Sequence, residues 1–308
     1  MHPAWSVILF TALAGAAQGL VLLLAGAAVL GRPPTTDLLS AALLCALAML
    51  VLALCASFLH LGRPLRAWRA VAMWRTSWLS REVIVLPAFA GVVALWWLSL
   101  QLSGGAPAVL PLLAIALALL LWWCTAMIYA CLRFIQEWAH PLTIANYTSI
   151  GMASGALLAA ALAAWAGEAG WARRLVPLAA VLTLAAWALR SMALRRNRGL
   201  KPASTLQSAT GIQGTPLVQK SMGMSAGSFN TREFFHGASA AALRHVRVTL
   251  HVLCFAGPLL LLAVVGAGGP VALLPWALLL HVPGLLAERW LFFAQARHPQ
   301  NLYYQQVS

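Results

Sequence analysis

Only six carboxylates occur in the 308 residues, Asp37, Glu82, Glu137, Glu168, Glu233 and Glu288, so the position of each carries information. Glu82 opens a long apolar run directly after Ser80-Arg81, where an ionisable group is costly unless it faces a bundle interior or a cavity. The plainer alternative is a helix-start carboxylate favoured by the helix dipole and paired with Arg81, an arrangement worth a few tenths to about 1 kcal/mol. His60 closes the preceding apolar run, in Phe58-Leu59-His60-Leu61-Gly62-Arg63-Pro64. Two helix ends joined by one loop can lie side by side, and a histidine with a carboxylate there suits hydrogen bonding to a quinone oxygen and proton transfer. Taken alone, His60 would be only a polar end-cap. Arg63, Ser80 and Arg81 flank the pair as further candidates, and Gln18, midway along the first apolar run, adds an amide that needs a partner at mid-membrane.

Other chemistries find less support. The five cysteines, Cys45, Cys55, Cys124, Cys131 and Cys254, lie inside apolar stretches without iron–sulfur or zinc spacing. They read as small packing residues, and no metal site is expected. A haem held between helices needs paired histidines at matching depth; His251 and His281 are the only pair deep enough, so no haem is expected. His140 and His298 each precede a proline near a helix end, where structural roles suffice. The net charge of +14 comes without a nucleic-acid recognition module, so nucleic acid is set aside as a partner.

The elements that must position these residues are membrane helices. Hydrophobic residues make up 62% of the chain and charged residues 8%, against about a quarter charged in soluble domains. A span needs about 20 apolar residues, which predicts eight, at about 5–30, 38–59, 82–102, 108–132, 144–165, 175–194, 246–266 and 271–287. The expected fold is all-α, one integral membrane bundle over 1–308. Uninterrupted apolar runs lack the in–out alternation of an outer-membrane barrel. Gly15 and Gly19, and Gly151 and Gly155, have the small-xxx-small spacing that lets helices approach closely. The N-terminus lacks the basic flank of a secretory signal, so the first run reads as a retained helix.

Short connections alternate with long ones, and the long ones share a side with both termini. Of the 20 Lys and Arg, only Arg32, Arg173 and Arg174 fall on the other side. The positive-inside rule then predicts cytoplasmic termini and long loops in a bacterial inner membrane, although an acidic partner or lipid head groups would also draw such charge. Arginines and tryptophans interleave at helical spacing between residues 65 and 79, as in an interfacial amphipathic helix. A loop as long as 195–245 should be either disordered or docked on something, and docking is favoured because its Phe residues would otherwise sit in water. Phe234 and Phe235, with Arg232 and with Arg66, Arg69 and Arg75 of the earlier loop, are the expected contacts to a partner.

Three blocks then carry a resemblance: His60 through Glu82, the segment Tyr129–Thr143 ending Trp138-Ala139-His140-Pro141-Leu142-Thr143, and Ala287-Glu288-Arg289-Trp290-Leu291-Phe292-Phe293-Ala294 through Asn301-Leu302-Tyr303-Tyr304. Together they resemble the membrane-anchor subunits of the dimethyl sulfoxide reductase family, over nearly the whole chain. The resemblance implies a complex with a molybdopterin catalytic subunit and a four-cluster iron–sulfur subunit. Those partners would carry the molybdopterin and the clusters, and the anchor itself would bind only quinone, ubiquinone or menaquinone. The family's functional histidine and glutamate match His60 and Glu82. One departure bears on the branch. The best-known member holds its catalytic subunits on the periplasmic face, whereas the charge count here points to the cytoplasm, as in the sulfite-oxidising members that reduce quinone. A quinol-oxidising reductase anchor is the alternative within the family. A secondary transporter is the alternative outside it, and that class would show polar groups near mid-membrane, often in an inverted repeat.

Overall fold

The computed structural model describes residues 1–59, 61–214, 216–221 and 233–303, without the side chains of 64 and 303. Among them eight helices are long and apolar enough to cross a membrane, and no strand occurs. These are α1 (Trp5–Val29), α2 (Thr36–Phe58), α3 (Trp78–Ser103), α4 (Val109–Ala130), α5 (Pro141–Trp165), α6 (Ala169–Arg198), α7 (Ala240–Gly266) and α8 (Leu274–Ala294). The all-α bundle of eight spans read from the sequence is the architecture found.

Helix ends follow local chemistry. The hydroxyl of Thr35 accepts from the Leu38 N–H to start α2, and that of Ser77 accepts from the Ser80 N–H to start α3; such caps satisfy donors that the first turn leaves open. Gly104 ends α3 in the left-handed conformation, at φ 67°, which a residue without Cβ adopts at no steric cost. In α7 the backbone passes through a π-helical stretch, Leu250–Ala256, just before Pro258, which has no N–H to offer the preceding turn.

Helices α1 to α4 form one four-helix square in which each packs on the next and α4 returns to α1, while α5 to α8 form a second. The squares join along α1 and α5, which cross at glycines. A Cβ built on Gly19 would lie 2.1 Å from the Gly151 carbonyl oxygen, and one on Gly155 would lie 2.1 Å from the Gly19 carbonyl carbon. This close approach is what the small-residue spacing in both helices predicted.

The face that carries the termini and long connections is the basic face. There a 3₁₀ helix, Pro64–Met73, links α2 to α3, and a short helix, Leu206–Thr210, lies between α6 and α7. Helices α6 and α8 run further towards this face than the apolar stretches suggested, to Arg198 and Ala294. Residues Arg190, Glu288 and Arg289 therefore lie inside the bundle, not at its rim.

Candidate functional site

Glu82 is 5% exposed, in the second turn of α3 at the basic face. Its carboxylate accepts a short hydrogen bond from the Thr125 hydroxyl of α4. Arg81, its neighbour in sequence, turns the other way. The Arg81 guanidinium donates to the Trp74 and Arg75 carbonyls at 2.9 Å each and lies 4.0 Å from the Trp78 ring centroid. The backbone explains this split, since successive helical side chains point about 100° apart and cannot face one partner. Arg81 thus pins the connection from α2, and the carboxylate is left to α4.

The other expected residues fall in three groups. Ser80 is buried beside Glu82, with its N–H engaged in the cap by Ser77. Arg63, Arg66, Arg69 and Arg75 are exposed around the 3₁₀ helix; Arg69 and Arg75 lie over Trp68 and Trp74, at 5.6 and 5.4 Å. Gln18 is buried at the middle of α1, where its amide donates to Ala14 of its own helix at 2.9 Å and its Oε1 has no partner. Helix α1 stands diagonal to α3 across the first square, so Gln18 and Glu82 are not brought together. His60 and Arg232 lie outside the described residues. Phe234 is half-buried and stacks on His298 with ring centroids 3.9 Å apart, and its carbonyl accepts from Asn301 at 3.2 Å. This ring is therefore covered by the protein's own C-terminal segment, and its burial needs no second polypeptide. Phe235, also half-buried, lines a surface hollow together with Phe234 and His298.

A second set of polar residues was not singled out from the sequence. Glu288 is fully buried on α8, between Arg289, whose Nε donates to Oε2 at 2.5 Å, and Arg190 of α6, whose Nε stands 3.0 Å from Oε1. Arg289 lies 4.3 Å from the Tyr147 ring centroid on α5. Tyr147 stacks on Tyr129 of α4, with centroids 5.7 Å apart at 16°. Tyr129 sits one turn beyond Thr125 on the same helix face. The result is a polar row across the bundle, from Glu82 through Thr125, Tyr129, Tyr147 and Arg289 to Glu288 and Arg190. Every member lies within roughly 12 Å of the basic end of its helix at 1.5 Å per residue. The sequence did hold a signal. Apolar residues continue after the charges, in Trp290-Leu291-Phe292-Phe293 and in Met192-Ala193-Leu194, so the spans do not end at Glu288 or Arg190.

The two deepest histidines have partners of other kinds. His281 Nδ1 lies 2.8 Å from the Cys254 carbonyl and Nε2 lies 2.8 Å from the Ser154 hydroxyl, while His251 accepts from Trp187 at 2.9 Å.

Comparison with known proteins now places the chain. The family model described as DMSO reductase anchor subunit (DmsC) matches residues 1–295. The chain belongs to that family. It is 47% identical, over 337 aligned positions and the full length of both proteins, to a sulfite dehydrogenase subunit of Allochromatium vinosum. It is also 31% identical over 132 residues to a polypeptide of the anaerobic dimethyl sulfoxide reductase of Escherichia coli K12, covering 42% of this protein and 46% of that one. The family and the eight apolar helices make it a multi-span membrane anchor subunit. Both relatives are, by name, parts of oxidoreductases.

Proposed function

We propose that this anchor subunit holds a sulfite-oxidising enzyme on the membrane and passes its electrons to quinone beside Glu82. The 47% identity to a sulfite dehydrogenase subunit over the full length of both chains favours sulfite over a sulfoxide as the partner's substrate. The observation that carries the quinone reading is Glu82, a buried carboxylate held by Thr125 near the basic end of α3. A quinone is an apolar ring with two oxygens that need protons as they receive electrons. A carboxylate within a membrane helix can supply them without water reaching the ring.

In this reading the catalytic partner carries molybdopterin and the electron-transfer partner carries iron–sulfur clusters. Quinone, ubiquinone or menaquinone, is the substrate of the anchor. Its site includes His60, Glu82, Arg63 and Ser80, with Arg81 holding the connection that carries them; Gln18, diagonal to Glu82 across the first square, stands apart from it. Partner docking falls to the exposed arginines of the 3₁₀ helix, Arg66 and Arg69, to Arg75, and to Arg232 and Phe235 of the long loop, Phe234 being already covered by His298. The positive-inside rule assigns the basic face to the cytoplasm, so the enzyme would work on cytoplasmic sulfite. Two electrons from sulfite leave through the clusters. Quinone takes up those two electrons and two protons to become quinol, and cofactors carry the electron chemistry while the anchor supplies position and proton access.

The test is Glu82→Gln in the whole complex. Sulfite-dependent quinone reduction should fall at least about a hundredfold, the scale of a lost general acid, while sulfite oxidation by an artificial dye and co-purification of the partners persist. Quinone reduction at the normal rate would overturn the assignment, as would turnover confined to quinol-dependent sulfoxide reduction.

A further inference from the structure

The buried ion row contains more open hydrogen-bonding atoms than packing alone explains. Arg190 is 1% exposed, yet its Nε and Nη2 have no hydrogen-bond partner, and Oε1 of Glu288 is similarly open because the 3.0 Å approach is misaligned for a hydrogen bond. Asn146, 3% exposed on α5, leaves its Oδ1 unpaired, as Tyr147 does its hydroxyl. Buried polar atoms in membrane bundles are costly without partners. Four such residues side by side point to water.

A crevice reaches two of them, Asn146 and Arg190. It has a volume of about 10 Å³, roughly the room one water requires. Its mouth on the basic face is formed by Glu137, His140, Arg196 and Asn197, and its floor by Asn146 and Arg190. The mouth residues are only half-buried, so the crevice opens towards the aqueous phase. The open atoms of Asn146 and Arg190 belong to residues that line it.

We propose that this crevice is a hydrated proton inlet from the basic face to Glu82, running by way of Arg190–Glu288–Arg289, Tyr147, Tyr129 and Thr125. The proposal rests on the reading of Glu82 as the quinone's proton donor. Arginine keeps its own protons, so Arg190 and Arg289 act by holding water and balancing Glu288. The mobile proton passes along water and the tyrosine hydroxyls. With Glu82 ionised, the row holds two guanidinium groups and two carboxylates and is neutral. Each proton that Glu82 passes to reduced quinone restores that neutrality, and reprotonation from the Tyr129 side prepares the second. Per quinone, two electrons arrive from the partner, two protons arrive by the inlet, and quinol leaves.

The test plugs the inlet without touching the row. Ala193 is buried in the crevice wall on α6, and Ala193→Leu should fill the space with apolar atoms. Sulfite oxidation, which takes its oxygen from water, releases two protons at the basic face for the two taken up there. The purified complex is therefore placed in liposomes with a pH-sensitive dye on the opposite side. In Ala193→Leu, sulfite-dependent quinone reduction should slow about tenfold and the solvent deuterium isotope effect should rise, while dye-linked sulfite oxidation is unchanged and the pH at the opposite face stays constant. Asn146→Leu provides the same plug from α5 should the first variant fail to assemble. An assembled plug variant with normal rate and isotope effect overturns the inlet, as does proton uptake from the opposite face. Glu82→Gln separates the two readings: if it abolishes quinone reduction and the plugs do not, the inlet alone fails; if it has no effect, the quinone assignment fails beneath it.

Discussion

The Thr125 hydroxyl on α4 donates its hydrogen bond to the carboxylate of Glu82 on α3, so the one buried acid of the first square is aimed by a neighbouring helix. Replacing Thr125 by Val keeps the shape of the side chain and removes the donor. Hydrogen bonds to charged groups contribute about 1.5–3 kcal/mol, and losing this one should slow quinone reduction about tenfold or more with the complex intact. Thr125→Ser restores the donor and should recover most of the rate. Stopped-flow quinone reduction on both variants checks this; equal rates in Val and Ser would deny the hydroxyl a positioning role.

Glu288 is the only carboxylate beside Arg190 and Arg289 among the described residues. Glu288→Gln leaves two buried guanidinium groups without their counter-charge, and breaking a buried pair from one side costs about 3–5 kcal/mol. The expected result is poor accumulation of the anchor, or a thermal midpoint several degrees lower in detergent. Glu288→Asp keeps the charge on a shorter arm and should lose much less. A Gln variant as stable as the parent would mean that the pair is not needed to hold α6 and α8 together.

The apolar runs made the eight spans readable because a bilayer imposes a length on each helix, and that constraint acts on sequence directly. Glu82 was readable for a related reason, since an acid at the start of such a run must be accounted for. The ion row was not readable. Arg190, Glu288 and Arg289 sit near span ends, where charge is ordinary, and only the packing of α6 on α7 and of α7 and α5 on α8 turns their surroundings into protein interior. Gln18 shows the reverse. Its depth was plain from the sequence, but its amide is met by Ala14 of its own helix, a local bond that no spacing rule distinguishes from a ligand contact.

Gly19 and Gly155 set the distance between the two squares. Any side chain at either would meet backbone at 2.1 Å, and backbone cannot step aside as a flexible side chain can. Gly19→Ala should therefore push α1 from α5 and cost about 1–3 kcal/mol or more, read as loss of the monodisperse complex on size-exclusion. Gly26, on the same helix with open space around it, supplies the control, and Gly26→Ala should leave the profile unchanged.

Arg81 holds the connection between α2 and α3 through two carbonyls, those of Trp74 and Arg75, while its plane covers Trp78. A planar fork can serve both carbonyls at once, whereas lysine is a point charge on a flexible stem. Arg81→Lys should therefore keep one contact and Arg81→Ala none. Hydrogen exchange of the amides in 64–77 reports the difference, because local opening is governed by the bonds that close it. The Ala variant should exchange there roughly tenfold faster, the Lys variant should fall between it and the parent, and α1 and α5 should not change. Since this connection begins next to His60 and ends next to Glu82, loosening it should also weaken quinone binding more than it slows bound turnover, raising KM before kcat falls. Unchanged exchange in Arg81→Ala would show that the 3₁₀ helix is held by its own turn and not by the guanidinium.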